Sequence, residues 1–143
     1  MALGVQIVID CADPAALAQF WAGALGYQLQ PPPDGFDSWE DALKAWNVPE
    51  SEFNSASAVI DPDGQGPRLY FQRVPEPKTV KNRLHMDLNV TTGSDPLEER
   101  KRSCAEAADR LGQLGATVRN EQEDFKGYCI VLQDPEGNEF CVH

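Results

Sequence analysis

Both halves of the chain contain an Asp-Pro pair, a Leu-Gly pair and an Asp-Pro-acid-Gly turn, in that order: 13–14, 25–26 and 61–64, then 95–96, 114–115 and 134–137. One Asp-Pro pair is uninformative, but matched landmarks in one order indicate duplication of a module. Each module reads strand, helix, three strands. The predicted class is therefore α+β, built from two βαβββ modules that pack together around a shared cleft.

Two amphipathic helices follow the Asp-Pro pairs. Asp is a favoured N-cap, and Pro suits the first helical position because its missing N–H would have no partner there. An apolar face is predicted in the first helix by Leu17, Phe20, Trp21, Ala24 and Leu25, and in the second by Leu97, Cys104, Ala108 and Leu111. Gly26 and Gly115 are predicted to end these helices.

Alternating patterns predict eight strands, at 5–10, 27–30, 56–60, 68–74, 83–90, 117–121, 128–132 and 139–142. The chain is predicted to be a single domain, 1–143, with module one at 1–75, a proline- and lysine-containing linker at 76–82 and module two at 83–143. An irregular insertion at 31–54, with a short helix predicted at 37–46, has no counterpart in the second half.

The strand at 83–90 divides into two kinds of side chain. Leu84, Met86, Leu88 and Val90 point one way, whereas His85, Asp87 and Asn89 point the other. Such a polar face either meets water or lines a cleft. Because the duplication predicts a shared cleft, we favour the second interpretation.

Charge and composition exclude several classes of partner. The net charge of −11 argues against nucleic acid, which a polyanionic protein would repel. No apolar run approaches the ~20 residues that span a bilayer, so no membrane partner is expected. The first residues read as a strand, not as a signal peptide. Four cysteines without a CxxC pair are expected to be reduced thiols of a cytoplasmic protein.

Several motifs together resemble the vicinal-oxygen-chelate superfamily, which comprises glyoxalase I, bleomycin-resistance proteins and extradiol dioxygenases. They are Val-Ile-Asp-Cys-Ala-Asp-Pro at 8–14, Leu-Gly-Tyr at 25–27, Asn-Arg-Leu-His-Met-Asp-Leu at 82–88 and Asp-Pro-Glu-Gly-Asn-Glu-Phe at 134–140. The chain looks most like small glyoxalase-like domain proteins. The resemblance implies an open eight-stranded barrel, a cleft with up to four inward ligand positions, and a homodimer.

Transferring those positions gives Gln6, Tyr70, His85 and Cys141, with Glu139 two residues before the last of them. The candidate metal set is Gln6, His85 and either Glu139 or Cys141. It is poor for Mg²⁺ or Mn²⁺, which prefer carboxylate oxygens, and marginal for Zn²⁺ or Ni²⁺. We therefore expect no cofactor, with Zn or Ni as the alternative. An extradiol dioxygenase is excluded because its iron needs two histidines and a carboxylate.

The leading prediction is a metal-independent protein that binds or sequesters a small organic molecule, as bleomycin-resistance proteins do. The alternative is a metal-dependent lyase or isomerase of glyoxalase type. His85 and Asp87 are the candidate catalytic residues, and without a metal His85, near a carboxylate, would be the general base. The predicted ligand-binding residues are Gln6, Arg83, Tyr70, Trp39, Trp46 and Cys141.

Overall fold

The computed structural model describes all of residues 1–143. It divides into two compact units, Met1–Pro77 (the first unit) and Lys78–His143 (the second unit). The division falls inside the predicted linker at 76–82. That the two units form a single domain stays a prediction.

The first unit is one four-stranded sheet with a covering helix and the insertion. Its elements are β1 (Ile7–Cys11), α1 (Pro14–Leu25), β2 (Gln28–Leu29), α2 (Trp39–Ala45), a single 3-10 turn (Glu50–Glu52), β3 (Ala56–Ile60) and β4 (Leu69–Arg73). The strand order is β1-β4-β3-β2. β1 is parallel to β4, and the other pairs are antiparallel.

The second unit repeats this plan without an insertion. Its elements are β5 (Asp87–Leu88), α3 (Leu97–Leu114), β6 (Thr117–Asp124), β7 (Gly127–Gln133) and β8 (Glu139–Val142). The order β5-β8-β7-β6, with β5 parallel to β8, matches that of the first unit. The α+β class and the repeated βαβββ order are confirmed. Both sheets are open, and their closure into an eight-stranded barrel stays a prediction.

In each unit the helix covers one face of the sheet. α1 packs on β3 and β4, and α3 packs on β7 and β8. Because side chains alternate along a strand, the covered face holds the core and the opposite face is left for other groups. The largest fully buried side chains are Trp21, Leu17, Val59, Leu69 and Phe71 in the first unit, and Leu111, Leu132, Phe140 and Val142 in the second.

The two helices begin differently, which corrects one expectation. Asp13 caps α1 through its side chain, as predicted, and Gly26 ends that helix with φ 69°. In α3 the N-cap position is Pro96, and no side chain caps the helix. The Asp95 carboxylate instead accepts a 2.7 Å hydrogen bond from the Thr92 N–H. The predicted Asp95 cap is therefore wrong.

The strand predicted at 83–90 is also shorter than expected, because β5 contains only Asp87–Leu88. β5 pairs only with β8, in a register that places Asp87 beside Cys141. In this register residues 83 and 84 would lie opposite Gly137 and Asn138, which precede β8, and Leu84 is 72% exposed. None of the helices combines the length and the apolar character that are needed to span a bilayer.

Candidate ligand-binding site

The uncovered face of each sheet carries residues that were predicted to be functional. In the first unit Val8 pairs with Tyr70, and Val8 lies two positions after Gln6. In the second unit Asp87 pairs with Cys141, and Asp87 lies two positions after His85. Gln6 and His85 therefore occupy equivalent positions, as do Tyr70 and Cys141.

On the first unit's uncovered face, Gln6 and Tyr70 meet at Arg68. The guanidinium donates from Nη1 to Gln6 Oε1 at 2.7 Å and from Nε to Gln30 Oε1 at 2.6 Å. Its carbon lies 5.2 Å from the centroid of the Tyr70 ring, within cation–π range. No carboxylate forms an ion pair with this half-buried arginine. The sequence interpretation missed Arg68, although it shares a strand face with Tyr70.

These residues border a cavity of about 490 Å³ in the first unit. Its walls come from β3, β4, the end of β2 and the insertion: Leu29, Gln30, Trp39, Leu43, Phe53, Asn54, Ala56, Ala58, Arg68 and Tyr70, with Ala15, Glu52, Ser55 and Ser57 beside them. Most of the lining is apolar, and Arg68 is its only cationic side chain.

Trp39, but not Trp46, lines this cavity. Trp39 donates its indole N–H to the Gln30 carbonyl at 2.8 Å, which fixes the ring in the wall. Trp46 is 53% exposed and packs edge-on against Phe36, with ring centroids 5.8 Å apart. The insertion at 31–54 thus contributes one of its two tryptophans to the cavity.

Hydrogen bonds inside the insertion and at its end hold it in place. Within it, Ser38 caps α2 by accepting from the Asp41 N–H at 3.1 Å. At its end, Asn54 accepts from the Ala15 N–H at 2.9 Å and donates to the Asp13 carboxylate at 2.8 Å. The Asn54 bonds tie the cavity wall to the start of α1, so the wall is part of the first unit.

On the second unit's uncovered face, His85, Asp87 and Cys141 form a cluster. His85 Nε2 lies 3.3 Å from Asp87 Oδ1, and the ligand atoms of all three residues lie within 4.8 Å of one another. Burial raises the pKa of Cys141 to about 12, and the neighbouring Cys129 thiol and Asp87 carboxylate add to this effect. Cys141 is therefore a thiol near neutral pH, not a nucleophilic thiolate.

Glu139, a predicted metal ligand, lies outside this cluster. One of its oxygens accepts from the Asn82 N–H at 3.0 Å and lies 3.1 Å from Lys78 Nζ. Burial alone would raise its pKa, but the bonds from Asn82 and Lys78 outweigh burial and lower the pKa to about 2. The carboxylate is thus ionised and already paired. Arg83, a predicted ligand-binding residue, is exposed.

Comparisons with known proteins were consistent with this architecture. The family model of the glyoxalase-like domain matches residues 6–143. A search of curated proteins found no match. Among solved structures, a glyoxalase/bleomycin resistance protein/dioxygenase family enzyme from Burkholderia phytofirmans PsJN is 17% identical, with a TM-score of 0.62 over 96% of this chain and 94% of that one.

Two further solved structures share the fold. A fosfomycin resistance protein FosX from Listeria monocytogenes, complexed with Mn(II) and a dihydroxypropylphosphonic acid, is 12% identical, with a TM-score of 0.64 over 100% of this chain and 90% of that one. The bleomycin-binding protein from Streptomyces verticillus, complexed with copper(II)-bleomycin, is 18% identical, with a TM-score of 0.53 over 99% and 95%. With the family model matching nearly its whole length, the chain belongs to the glyoxalase-like domain family.

Proposed function

We propose that this protein binds or sequesters a small organic molecule in the cavity of the first unit, without a metal ion. The observation that carries the proposal is the cavity itself. Its volume of about 490 Å³ lies within the ~300–1,000 Å³ typical of small-molecule sites. Like such sites, it combines apolar walls with a few fixed polar groups, here Arg68, Gln30 and Tyr70.

The chemistry of the predicted metal ligands supports binding without a metal. The ligating atom of the Gln6 amide is Oε1, and it already accepts a hydrogen bond from Arg68. A guanidinium at that point repels a divalent cation. In the second unit, Glu139 is paired with Lys78, and Cys141 keeps its proton.

The fold also occurs in a protein whose activity is binding. The bleomycin-binding protein that resembles this chain was solved with copper(II)-bleomycin bound to it. By analogy we propose sequestration for this chain.

We also propose, from the resemblance, a cytoplasmic homodimer. Light scattering on the purified protein tests the dimer, because a homodimer has twice the 15.8 kDa mass of one chain.

A thermal-shift screen of a library with neutral, anionic and cationic organic members tests the proposal. We expect hits that raise the melting temperature and lose at least about tenfold in affinity in Trp39→Ala. Trp46→Ala is the matched control because Trp46 lies outside the cavity, and it should bind normally. A screen without hits, or equal losses in both variants, would contradict a ligand site in this cavity.

The alternative is the metal-dependent lyase or isomerase acting on a carbonyl compound, and one observation favours it. His85, Asp87 and Cys141 bring an imidazole, a carboxylate and a sulfur within 4.8 Å, a ligand set that Zn²⁺ accepts. A metal there would supply Lewis-acid polarisation of the carbonyl oxygen. His85, Asp87 and Cys141 would then be the metal ligands, so their catalytic role would be to hold the metal.

Elemental analysis of untagged protein, purified without chelator, separates the two functions. Our proposal expects less than stoichiometric metal in the wild type and no change in His85→Ala. Stoichiometric Zn or Ni that is lost in His85→Ala, but kept in His143→Ala, would replace our proposal with the alternative.

A further inference from the structure

Arg68 is a cation without a counter-ion in a strongly acidic protein. The chain has 23 acidic and 12 basic residues other than histidine, yet no carboxylate pairs with this guanidinium. The acidic residue that lines the same cavity, Glu52, is bonded to Arg73 at 3.3 Å. The positive charge at the cavity wall is therefore uncompensated by the protein.

The groups that do contact Arg68 orient it without neutralising it. Gln6 and Gln30 contribute neutral amide oxygens, and Tyr70 contributes the face of its ring. A guanidinium has five N–H groups. Two of them are used here, which leaves three on Nη1 and Nη2. Adjacent N–H groups of this kind match the two oxygens of a carboxylate in a bidentate pair.

The remaining walls specify the rest of the ligand. Trp39, Leu43 and Phe53 face the same cavity from the insertion, so an aromatic or aliphatic body would be buried there. The Trp39 N–H is already bonded to a backbone carbonyl, so the ring offers only its apolar surface.

We infer that the ligand of this cavity is a small organic carboxylate, held by its charged group on Arg68 and by its apolar body against Trp39. This inference rests on the proposed function and narrows it to one chemical class. A neutral ligand would leave the arginine unpaired, and a cationic ligand would be repelled by it. Arg68 alone determines this preference for an anion, although the net charge of −11 by itself would favour cations.

The experiment is calorimetry with matched pairs of a carboxylate and its uncharged amide, from 2-naphthoate and 2-naphthamide to shorter aromatic and aliphatic pairs. We expect the best carboxylate to bind at least about tenfold more tightly than its amide, which corresponds to ~1.4 kcal/mol. The preference should shrink as salt is added, because a half-exposed charge pair is screened.

Substitutions then test whether Arg68 causes the preference for the carboxylate over the amide. Arg68→Met keeps a long side chain without charge and should bind acid and amide equally, whereas Arg68→Lys should keep part of the preference. Arg119→Met, at an exposed position on β6, removes the same charge elsewhere and should behave as wild type. Melting curves identify any variant that fails to fold, and in that event the wild-type pairs still decide.

The outcomes are distinguishable from failure of the proposed function. If no pair shows a carboxylate preference in the wild type, or if Arg68→Met keeps the preference, the inference is overturned. Should the library yield neutral or cationic ligands that depend on Trp39, the proposed function stands and only the inference fails.

Discussion

The first and second units build the same sheet and place different chemistry on its uncovered face. Around Tyr70 the first unit sets a guanidinium held by two amides, and the insertion encloses a cavity beside it. Around the equivalent Cys141 the second unit sets an imidazole and a carboxylate, without an insertion. The two units share strand order and register but differ in side chains, so a residue's equivalent position does not predict its partners.

The largest difference in stability that we expect between the two units lies in the turns before β4 and β8. The Asp134 side chain is 3% exposed and accepts hydrogen bonds from the backbone of Glu136 and Asn138 and from the Asn138 amide. Because Asp134→Ala leaves these half-buried donors without their acceptor and removes a buried side chain, we expect a loss of about 3 kcal/mol in the free energy of unfolding. Urea titration measures it.

Asp61 is the matched position in the first unit. It accepts from three backbone N–H groups, but in a more exposed turn where water can replace them. Asp61→Ala should therefore cost clearly less than Asp134→Ala. Equal losses would show that exposure does not separate the two turns.

The second contrast concerns Glu139, whose side chain is 16% exposed. Its pKa of about 2 lies below the usual 4.5, so its ionised form stabilises the fold above about pH 4.5. That stabilisation is lost as the pH falls towards 2. We expect Glu139→Gln to cost about 2 kcal/mol at neutral pH and almost nothing near pH 2.

Denaturant titrations from neutral pH to pH 2 measure this convergence. Glu106→Gln is the control, because Glu106 is largely exposed on α3 and should show little cost at any pH. A Glu139→Gln cost that does not change with pH would disprove the role of its charge. The first unit has no equivalent anchor, since Lys78 and Asn82 both belong to the second unit.

The two Leu-Gly landmarks offer a smaller contrast. Gly26 has φ 69° and ψ 24°, a left-handed conformation that other residues can adopt at some cost. Gly115 has φ 121°, and a Cβ there would lie 3.3 Å from Pro135 Cγ. We expect Gly115→Ala to cost about 1.5 kcal/mol and Gly26→Ala about 1 kcal/mol in thermal unfolding. The reverse order would contradict this reading of the backbone.

The elements that the sequence predicted well depend on neighbouring residues. α1 starts and ends at residues that cap it locally, and β3 and β8 have the predicted bounds, 56–60 and 139–142. The strand at 83–90 was overestimated because its length depends on how much of β8 lies opposite. A period of two indicates which way side chains point, but not where the partner strand ends.

The site was predicted less completely because its contacts join distant residues. Arg68 is held by Gln30 and Gln6, which lie 38 and 62 positions away in the sequence. Glu139 has the residue type of a metal ligand, but Lys78, 61 positions away, engages it. Residue type predicted candidates, whereas only the fold determines which charges are paired.

The smallest contrast tests the Asp-Pro pairs, which look identical in sequence. Asp13 accepts from the Ala16 N–H at 3.2 Å and is linked to the insertion through Asn54. The Asn54 amide, followed by the N–H of Ala16, lowers the pKa of Asp13, so its ionised form is favoured. Asp13→Ala should cost about 1 kcal/mol, and Asp13→Ser, which can still cap the helix, should recover most of it.

Asp95→Ala should cost less, because Asp95 bonds to Thr92 before the helix and leaves α3 without a side-chain cap. Thermal unfolding of the three variants measures the difference. If Asp95→Ala cost as much as Asp13→Ala, the two pairs would stabilise their helices equally, and the difference in capping would not affect the free energy of unfolding. A smaller cost would show that identical Asp-Pro pairs contribute differently to stability because only Asp13 caps its helix.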